Sequence, residues 1–357
     1  MTSQTPLTFS DQPLPTKPRV LFMGTPDFAT PSLRALHAWC TRQGGEVVGV
    51  VSQPDRPKGR GRQLVRTPVA NVADELGLTC YQWPKLSQVS YDVLTELNYD
   101  LAIVIAYGKI LPRRYLTLPP WGCVNLHASL LPAYRGAAPI QWALINGERE
   151  TGVSVMRLDE GMDTGPVAHM LSLNVSQTDT SATLFERLAD LSARALVEAL
   201  DRWVDPHAAE PLRFHPQPEE GVSYASMLRK EDGRLDWSEP AHHLAHRMRG
   251  VTPWPGAQAQ IREGTLKVIE AEAWSEAQLQ AHFSGHATTD HNPESDELEG
   301  AISPGVVVGL LSNGPLIKCG EGALLLTRTQ RPSKKATSGG DLCRGYPLKV
   351  GALLSEC

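Results

Sequence analysis

No stretch of this chain approaches the run of about 18 apolar residues that a membrane-spanning helix requires, so a transmembrane reading has no support. The first 18 residues are polar and proline-rich, with Lys17 their one basic residue and no apolar core; this excludes a secretory signal and gives little support to a transit peptide. Cysteine occurs at positions 40, 80, 123, 319, 343 and 357 without a CxxC pair or a tight cluster, which fits free thiols in a reducing, cytoplasmic setting. Missing too is the GxGxxG of a dinucleotide fold: Met23-Gly24-Thr25-Pro26-Asp27 carries one glycine, most simply a tight-turn residue. GxxxxGK[ST] is absent as well, so the nicotinamide and nucleoside-triphosphate classes lose their main support. His242 and His246 have the i,i+4 spacing of a zinc pair but lack the HExxH glutamate. His282, His286, Asp290 and His291 fall in a polar stretch with little to brace a rigid site, and no metal is expected.

What is present describes an ordinary globular protein of 357 residues, 41% hydrophobic and 20% charged, with a length that suits about two domains. The net charge of −5 conceals a sharp division. Residues 270–301 hold eight acidic side chains and no Lys or Arg, whereas residues 302–350 hold seven basic side chains against Glu321 and Asp341.

Apolar runs alternate with helical patterns through the first half. Strands are expected at 19–24, 46–52, 78–81, 100–107, 122–127, 151–158 and 167–175, and helices at 31–42, 69–76 and 180–203. This order predicts an open α/β domain over 19–204 with a parallel sheet covered on both faces, behind a disordered tail over 1–18. Residues 205–221 contain four prolines and read as a linker. Beyond it, over 222–357, short β-type runs at 257–262, 266–271, 305–311, 316–319 and 323–327 suggest a small barrel or sandwich, interrupted by a polar insertion over 278–300.

Several residue groups carry chemistry, each with a plainer alternative. Ligands of open α/β sheets bind outside the carboxyl ends of the strands. Asn125 and His127 lie at such an end and, by alternation, on one face; they suit oxyanion stabilisation or proton handling, or else His127 is a core histidine bonded to a carbonyl. Asp163, in a glycine-flanked loop, either forms an Asx-turn or orients that histidine. Residues 129–141 form a small, proline-containing loop suited to lining a pocket. Arg56, Lys58, Arg60, Arg62 and Arg66 stand in an acid-free, glycine-containing loop that is either a solvated charge run or a phosphate contact.

Taken together, Phe22-Met-Gly-Thr-Pro-Asp-Phe-Ala29, Gln53-Pro-Asp-Arg-Pro-Lys-Gly-Arg-Gly61, Asn125-Leu-His-Ala-Ser-Leu-Leu-Pro132, Arg135-Gly-Ala-Ala-Pro-Ile-Gln141, Glu150-Thr-Gly-Val-Ser-Val-Met156 and Asp159–Gly165 closely resemble the methionyl-tRNA formyltransferase family over about residues 19–347. Ala128 departs from the glycine frequent in that family. The resemblance implies a Rossmann-like formyltransferase domain followed by an OB-like β-barrel domain. It further implies transfer of a formyl group from 10-formyltetrahydrofolate to methionyl initiator tRNA in the cytoplasm, with a monomer as the default. It assigns catalysis to Asn125, His127 and Asp163 and folate contact to Ser129, Leu130, Leu131 and Pro132. Contact with tRNA would fall to Lys58, Arg60, Arg62, Lys334 and Lys335. The rival readings are formyl transfer to a sugar amine or to water, a dinucleotide-dependent oxidoreductase, and an RNA-binding protein without catalysis.

Overall fold

The computed structural model describes residues 7–58, 63–285 and 302–357, which gather into two compact units. The first consists of residues up to Ile140 with Glu150–Val175 and Thr183–Ser226; the second consists of Gln141–Arg149, Ser176–Ala182 and Met227–Cys357. No helix among the described residues is long and apolar enough to cross a membrane.

The first unit opens with β1 (Arg19–Gly24), whose continuous apolar run is buried on both faces, as expected for a strand in the middle of a covered sheet. Helix α1 (Thr30–Gln43) begins with proline in its first turn and stops at Gly44 in the left-handed conformation, burying Leu33, Leu36 and Trp39. After β2 (Glu46–Ser52) come two short strands, β3 (Arg56–Lys58) and β4 (Gln63–Val65), paired antiparallel. Helix α2 (Pro68–Glu75) is capped by the Thr67 hydroxyl. Then follow β5 (Cys80–Gln82), α3 (Gln88–Glu96), β6 (Leu101–Ile105), the single turn α4 (Arg113–Leu116) and β7 (Cys123–His127). β8 (Arg135–Gly136), β9 (Glu150–Arg157), β10 (Val167–Asn174), the 24-residue α6 (Ser181–Val204) and β11 (Tyr224–Ala225) follow, while most of α5 (Pro139–Ile145) belongs to the second unit.

The main sheet has seven strands in the order β10-β9-β7-β6-β1-β2-β5. The expected parallel arrangement holds for β5, β2, β1, β6 and β7. It fails beyond β7, because β9 runs antiparallel to β7 and β10 antiparallel to β9. Only residues 158–166 join β9 to β10, too short for the crossover that parallel neighbours need. β10 also alternates between partly buried and exposed residues, the pattern of an edge strand with one wet face. The crowded turn after β1 accounts for Gly24 differently from a tight-turn role: a Cβ there would lie 2.9 Å from Ala29 and from the Phe22 ring.

Two further sequence expectations need correction. Residues 7–18 of the expected disordered tail pack on the first unit: Leu14 is 3% exposed and its N–H donates to Trp203 O, and the Phe9 ring lies against Gly122. The apolar side chains Phe9 and Leu14, isolated among polar residues, gave no periodic signal. The expected linker 205–221 likewise belongs to the first unit, with Phe214 edge-on to Trp203 at 5.2 Å and His215 bridged to Val167 through both backbone bonds. Its prolines rule out regular secondary structure without ruling out packing.

The second unit contains α7 (Ala241–Gly250), β12 (Ala257–Ile261), β13 (Gly264–Trp274), α8 (Glu276–Gly285), β14 (Val307–Leu311), β15 (Gly314–Lys318), β16 (Ala323–Gln330), β17 (Thr337–Ser338) and α9 (Gly339–Gly345). Its strands form an antiparallel sheet in the order β12-β13-β16-β15-β14, with β17 on β16. The polar insertion expected at 278–300 begins inside α8, whose Leu279 is buried against Val308, Leu316 and Leu325. Glu276 anchors the start of that helix by accepting from Gly322 N at 2.8 Å and pairing with Lys318 at 3.2 Å. The rest of the insertion, from residue 286 to 300, lies outside the described residues.

Candidate active site

The carboxyl ends of β1, β2 and β6 meet through a small polar network. Thr25 Oγ1 donates to Tyr107 O at 3.0 Å, Gln53 N donates to Thr25 Oγ1 at 3.3 Å, and Gln53 Nε2 donates to Tyr107 O at 3.2 Å. Gln82 in turn donates to Gln53 O and to the Asp55 carboxylate. The two motifs around residues 22–29 and 53–61 are therefore spatial neighbours, each fixing the backbone at the mouth of the sheet.

Strand β7 delivers the principal side chains. Cys123, Val124 and Leu126 are buried, Asn125 is partly exposed, and His127 closes the strand at 6% exposure. Alternation places Asn125 and His127 on one face. His127 Nε2 lies 2.8 Å from Tyr134 O. A carbonyl only accepts, so Nε2 carries the proton in this contact, and Nδ1 is the nitrogen left to do chemistry. Nδ1 stands 3.6 Å from Asp163 Oδ2, too long for a direct hydrogen bond.

Asp163 is held in a left-handed backbone conformation, φ 53°, in the loop between β9 and β10. Its Oδ2 accepts from Gly136 N at 2.8 Å. Gly136 itself has φ 125°, and a Cβ there would lie 2.5 Å from Ala225 O, so only glycine allows β8 to pair this closely with β11. Sequence analysis missed β11 as part of the site, since a two-residue strand carries no periodicity.

Ser129, Leu130, Leu131 and Pro132 follow His127 directly. Ser129 Oγ donates to Ala133 O at 2.6 Å. Ser154 on β9, fully buried, closes the loop from beneath: its hydroxyl donates to Ser129 O at 2.7 Å and accepts from Leu131 N at 3.0 Å. Ser154 was also missed, although its strand position opposite His127 was accessible once β9 was recognised as the antiparallel partner of β7. Gln217, from the proline-rich segment, bonds to the carbonyls of Asp163 and Gly165.

The expected nucleic-acid contacts divide. Arg60 and Arg62 lie outside the described residues, as does the side chain of Lys58, whose backbone pairs with Gln63. Arg66, at the end of the basic run, is engaged internally by Asp74 at 2.7 Å. Lys334 and Lys335 are exposed in the turn before β17 of the second unit; Lys334 O accepts from Gln330 Nε2. No group of three or more His, Cys, Asp or Glu that could hold a metal ion occurs among the described residues.

A family model described as formyl transferase matches residues 18–200, and one described as formyl transferase, C-terminal domain, matches residues 227–347. A methionyl-tRNA formyltransferase of Citrifermentans bemidjiense is 39% identical over 339 residues, covering 95% of this chain and 96% of its own length. One from Sorangium cellulosum is 41% identical over 339 residues, covering 95% and 100%. An N-formyltransferase from Helicobacter canadensis, solved with folinic acid and dTDP-3-aminofucose, shares the fold with a TM-score of 0.60 at 13% identity, covering 87% of this chain and 99% of its own. On the full-length similarity of both domains, the chain belongs to the methionyl-tRNA formyltransferases.

Proposed function

We infer that the protein transfers the formyl group of 10-formyltetrahydrofolate to the α-amino group of methionyl initiator tRNA, giving the formylated tRNA with which translation begins. The observation that carries this reading is the identity of about 40% across both domains to relatives bearing that name, against only a shared fold with the sugar-amine enzyme. Such a reaction belongs in the cytoplasm beside the ribosome.

The chemistry is acyl transfer to an amine. An α-amino group has a pKa of roughly 7.7–8.0, so a useful fraction is neutral and nucleophilic near neutral pH, and no covalent enzyme nucleophile is needed. Attack on the formyl carbon forms the new C–N bond and moves an electron pair onto the formyl oxygen. Asn125 donates to that oxyanion through its amide, and His127 through Nδ1–H when protonated. A well-placed donor of this kind contributes about 2.7–4 kcal/mol. Asp163, through water, receives the proton shed by the attacking amine. Collapse breaks the bond to the folate nitrogen, which leaves with the proton Asp163 took from the amine, relayed back through water. Ser129, Leu130, Leu131 and Pro132 line the folate side of the centre, and the brace from Ser154 keeps that wall rigid. The basic run with Lys58, Arg60 and Arg62, and Lys334–Lys335 in the second unit, contact phosphates of the tRNA.

Acceptor choice tests the reading. Release of tetrahydrofolate is measured with methionyl initiator tRNA, a nucleotide-linked amino sugar, or buffer alone. Turnover with the tRNA should exceed the other two by orders of magnitude; preference for the sugar amine, or equal turnover in buffer, would replace this acceptor.

A further inference from the structure

The loop that presents Asp163 is gripped by a side chain from a segment the reaction has not used. Gln217 Nε2 donates to Asp163 O and to Gly165 O, each at 2.8 Å. Its Oε1 accepts from Arg135 Nε at 3.0 Å and from Arg135 Nη2 at 2.7 Å. The amide orientation follows from chemistry: a guanidinium only donates and carbonyls only accept. Arg135 is buried in β8, and the next residue, Gly136, supplies the N–H that holds the Asp163 carboxylate at 2.8 Å. One amide thus ties together the backbone of Asp163 and the strand that fixes its side chain.

This loop needs outside support. Asp163 sits at φ 53°, a conformation that costs a non-glycine residue about 1–3 kcal/mol and persists only when its surroundings impose it. Two residues on, Gly165 passes so close to β9 that a Cβ would lie 1.9 Å from Arg157 O. The Asp163–His127 separation of 3.6 Å is sensitive to small displacements, since Coulomb attraction and water bridging both depend on it.

We propose that Gln217 is a positioning residue of the formyl-transfer site, holding the Asp163 carboxylate against His127 Nδ1 by tying the Asp163 loop to the Arg135–Gly136 strand. The proposal rests on the role given to Asp163 above. Gln217 touches no reacting atom. Its function is to keep the strained loop at the register in which His127 meets a carboxylate. Asparagine is one methylene shorter and fails to span Arg135 and the two carbonyls together. Glutamate keeps the volume and the Arg135 contact but loses both donors to the carbonyls, so Gln217→Glu separates packing from positioning.

The test combines kinetics with a measurement that needs no substrate. Gln217→Ala and Gln217→Glu should lower kcat by roughly tenfold to a hundredfold, the scale of a 1 Å misplacement, with KM for methionyl-tRNA unchanged. Combined with Asp163→Asn, either should cost little beyond Asp163→Asn alone. In the substrate-free protein, the crystal structure of Gln217→Ala should show Asp163 Oδ2 farther from His127 Nδ1 than the 3.6 Å of the unaltered chain. Arg135, bound to the other end of Gln217, is retained in every variant. Unchanged kcat and an unmoved Asp163 carboxylate in a folded Gln217→Ala, or losses that multiply fully with those of Asp163→Asn, would overturn the proposal. Should Gln217→Ala not fold, the kinetics of Gln217→Glu decide alone. If the unaltered protein formylates no tRNA, the functional reading fails, while the structure of Gln217→Ala still judges the link from Gln217 to Asp163 and His127.

Discussion

At the scale of single residues, the candidate site is a histidine with one nitrogen bonded to a carbonyl and the other 3.6 Å from a carboxylate. Tyr134 O takes Nε2, so the reactive face of His127 is fixed by backbone rather than by another titrating group. Asn125 stands on the same strand face with partial exposure, free of the constraint that burial places on its neighbours. Removing its amide should therefore act on the transition state alone: Asn125→Ala is expected to lower kcat by about 100- to 1000-fold with KM for tRNA nearly unchanged. Steady-state kinetics check this, and a normal kcat would take Asn125 out of the chemistry. That Asn125 and His127 share one strand face was legible from alternation, whereas only the family resemblance joined Asp163 to them, which the structure sets 3.6 Å from His127. What the sequence did not disclose is how they are held. Gln217 lies 54 residues from Asp163 and Ser154 lies 25 residues from Ser129, and no local pattern reports contacts across such separations.

At the scale of elements, the site depends on braces between segments that are distant in sequence. Ser154 joins β9 to the 129–132 loop with one hydroxyl that both donates and accepts. Ser154→Ala leaves a buried carbonyl and a buried N–H unpaired, costing about 1–3 kcal/mol. The expected kinetic signature is a raised KM for 10-formyltetrahydrofolate with KM for tRNA unmoved; equal effects on both substrates would deny the loop its folate role. The strands of the main sheet and the long helices of the first unit were readable from apolar periodicity, and the direction of β9 and β10 was not. β9 and β10 look like any other buried runs until a short connection forces them antiparallel. Helix α7 makes a separate prediction. Burial, and then the charges of Arg249, His242 and His243, hold the His246 imidazole below its ordinary pKa of 6.5. A group depressed in the folded state leaves stability intact above the unfolded pKa and removes it as pH falls through the lower folded value. Thermal unfolding should therefore show Tm falling between pH 7.5 and 5.5, and falling less in His246→Gln; identical slopes would remove His246 from the effect.

At the scale of the whole molecule, a net charge of −5 coexists with two basic regions, the run from Arg56 to Arg66 and the stretch around Lys334 and Lys335. Net charge thus describes solubility and conceals the partner. Arg66 pairs with Asp74 at 2.7 Å, which sets it apart from the run as a phosphate contact. Arg60→Ala should weaken tRNA binding, leave kcat at saturating tRNA near normal, and reduce the slope of log affinity against log salt by about 1. An affinity and salt slope equal to those of the unaltered protein would remove Arg60 from the interface. The segments 7–18 and 205–221 teach a related lesson at this scale. Both are poor in periodicity, yet Phe9 and Phe214 lie 5.0 and 4.1 Å from the Arg157 guanidinium, joining both segments to the end of β9. Burial there pushes the Arg157 pKa down to about 10, and the aromatic faces compensate in part for the lost water.

The most direct test of the account is to incubate the purified protein with methionyl initiator tRNA and 10-formyltetrahydrofolate and look for formylmethionine by mass spectrometry, beside the same reaction with Asn125→Ala. The account predicts formylmethionyl-tRNA from the unaltered protein and its near disappearance in the variant at matched time and concentration. Formylation undiminished in Asn125→Ala would contradict the assigned site. No formylation by the unaltered protein, with tRNA still bound, would contradict the reaction itself.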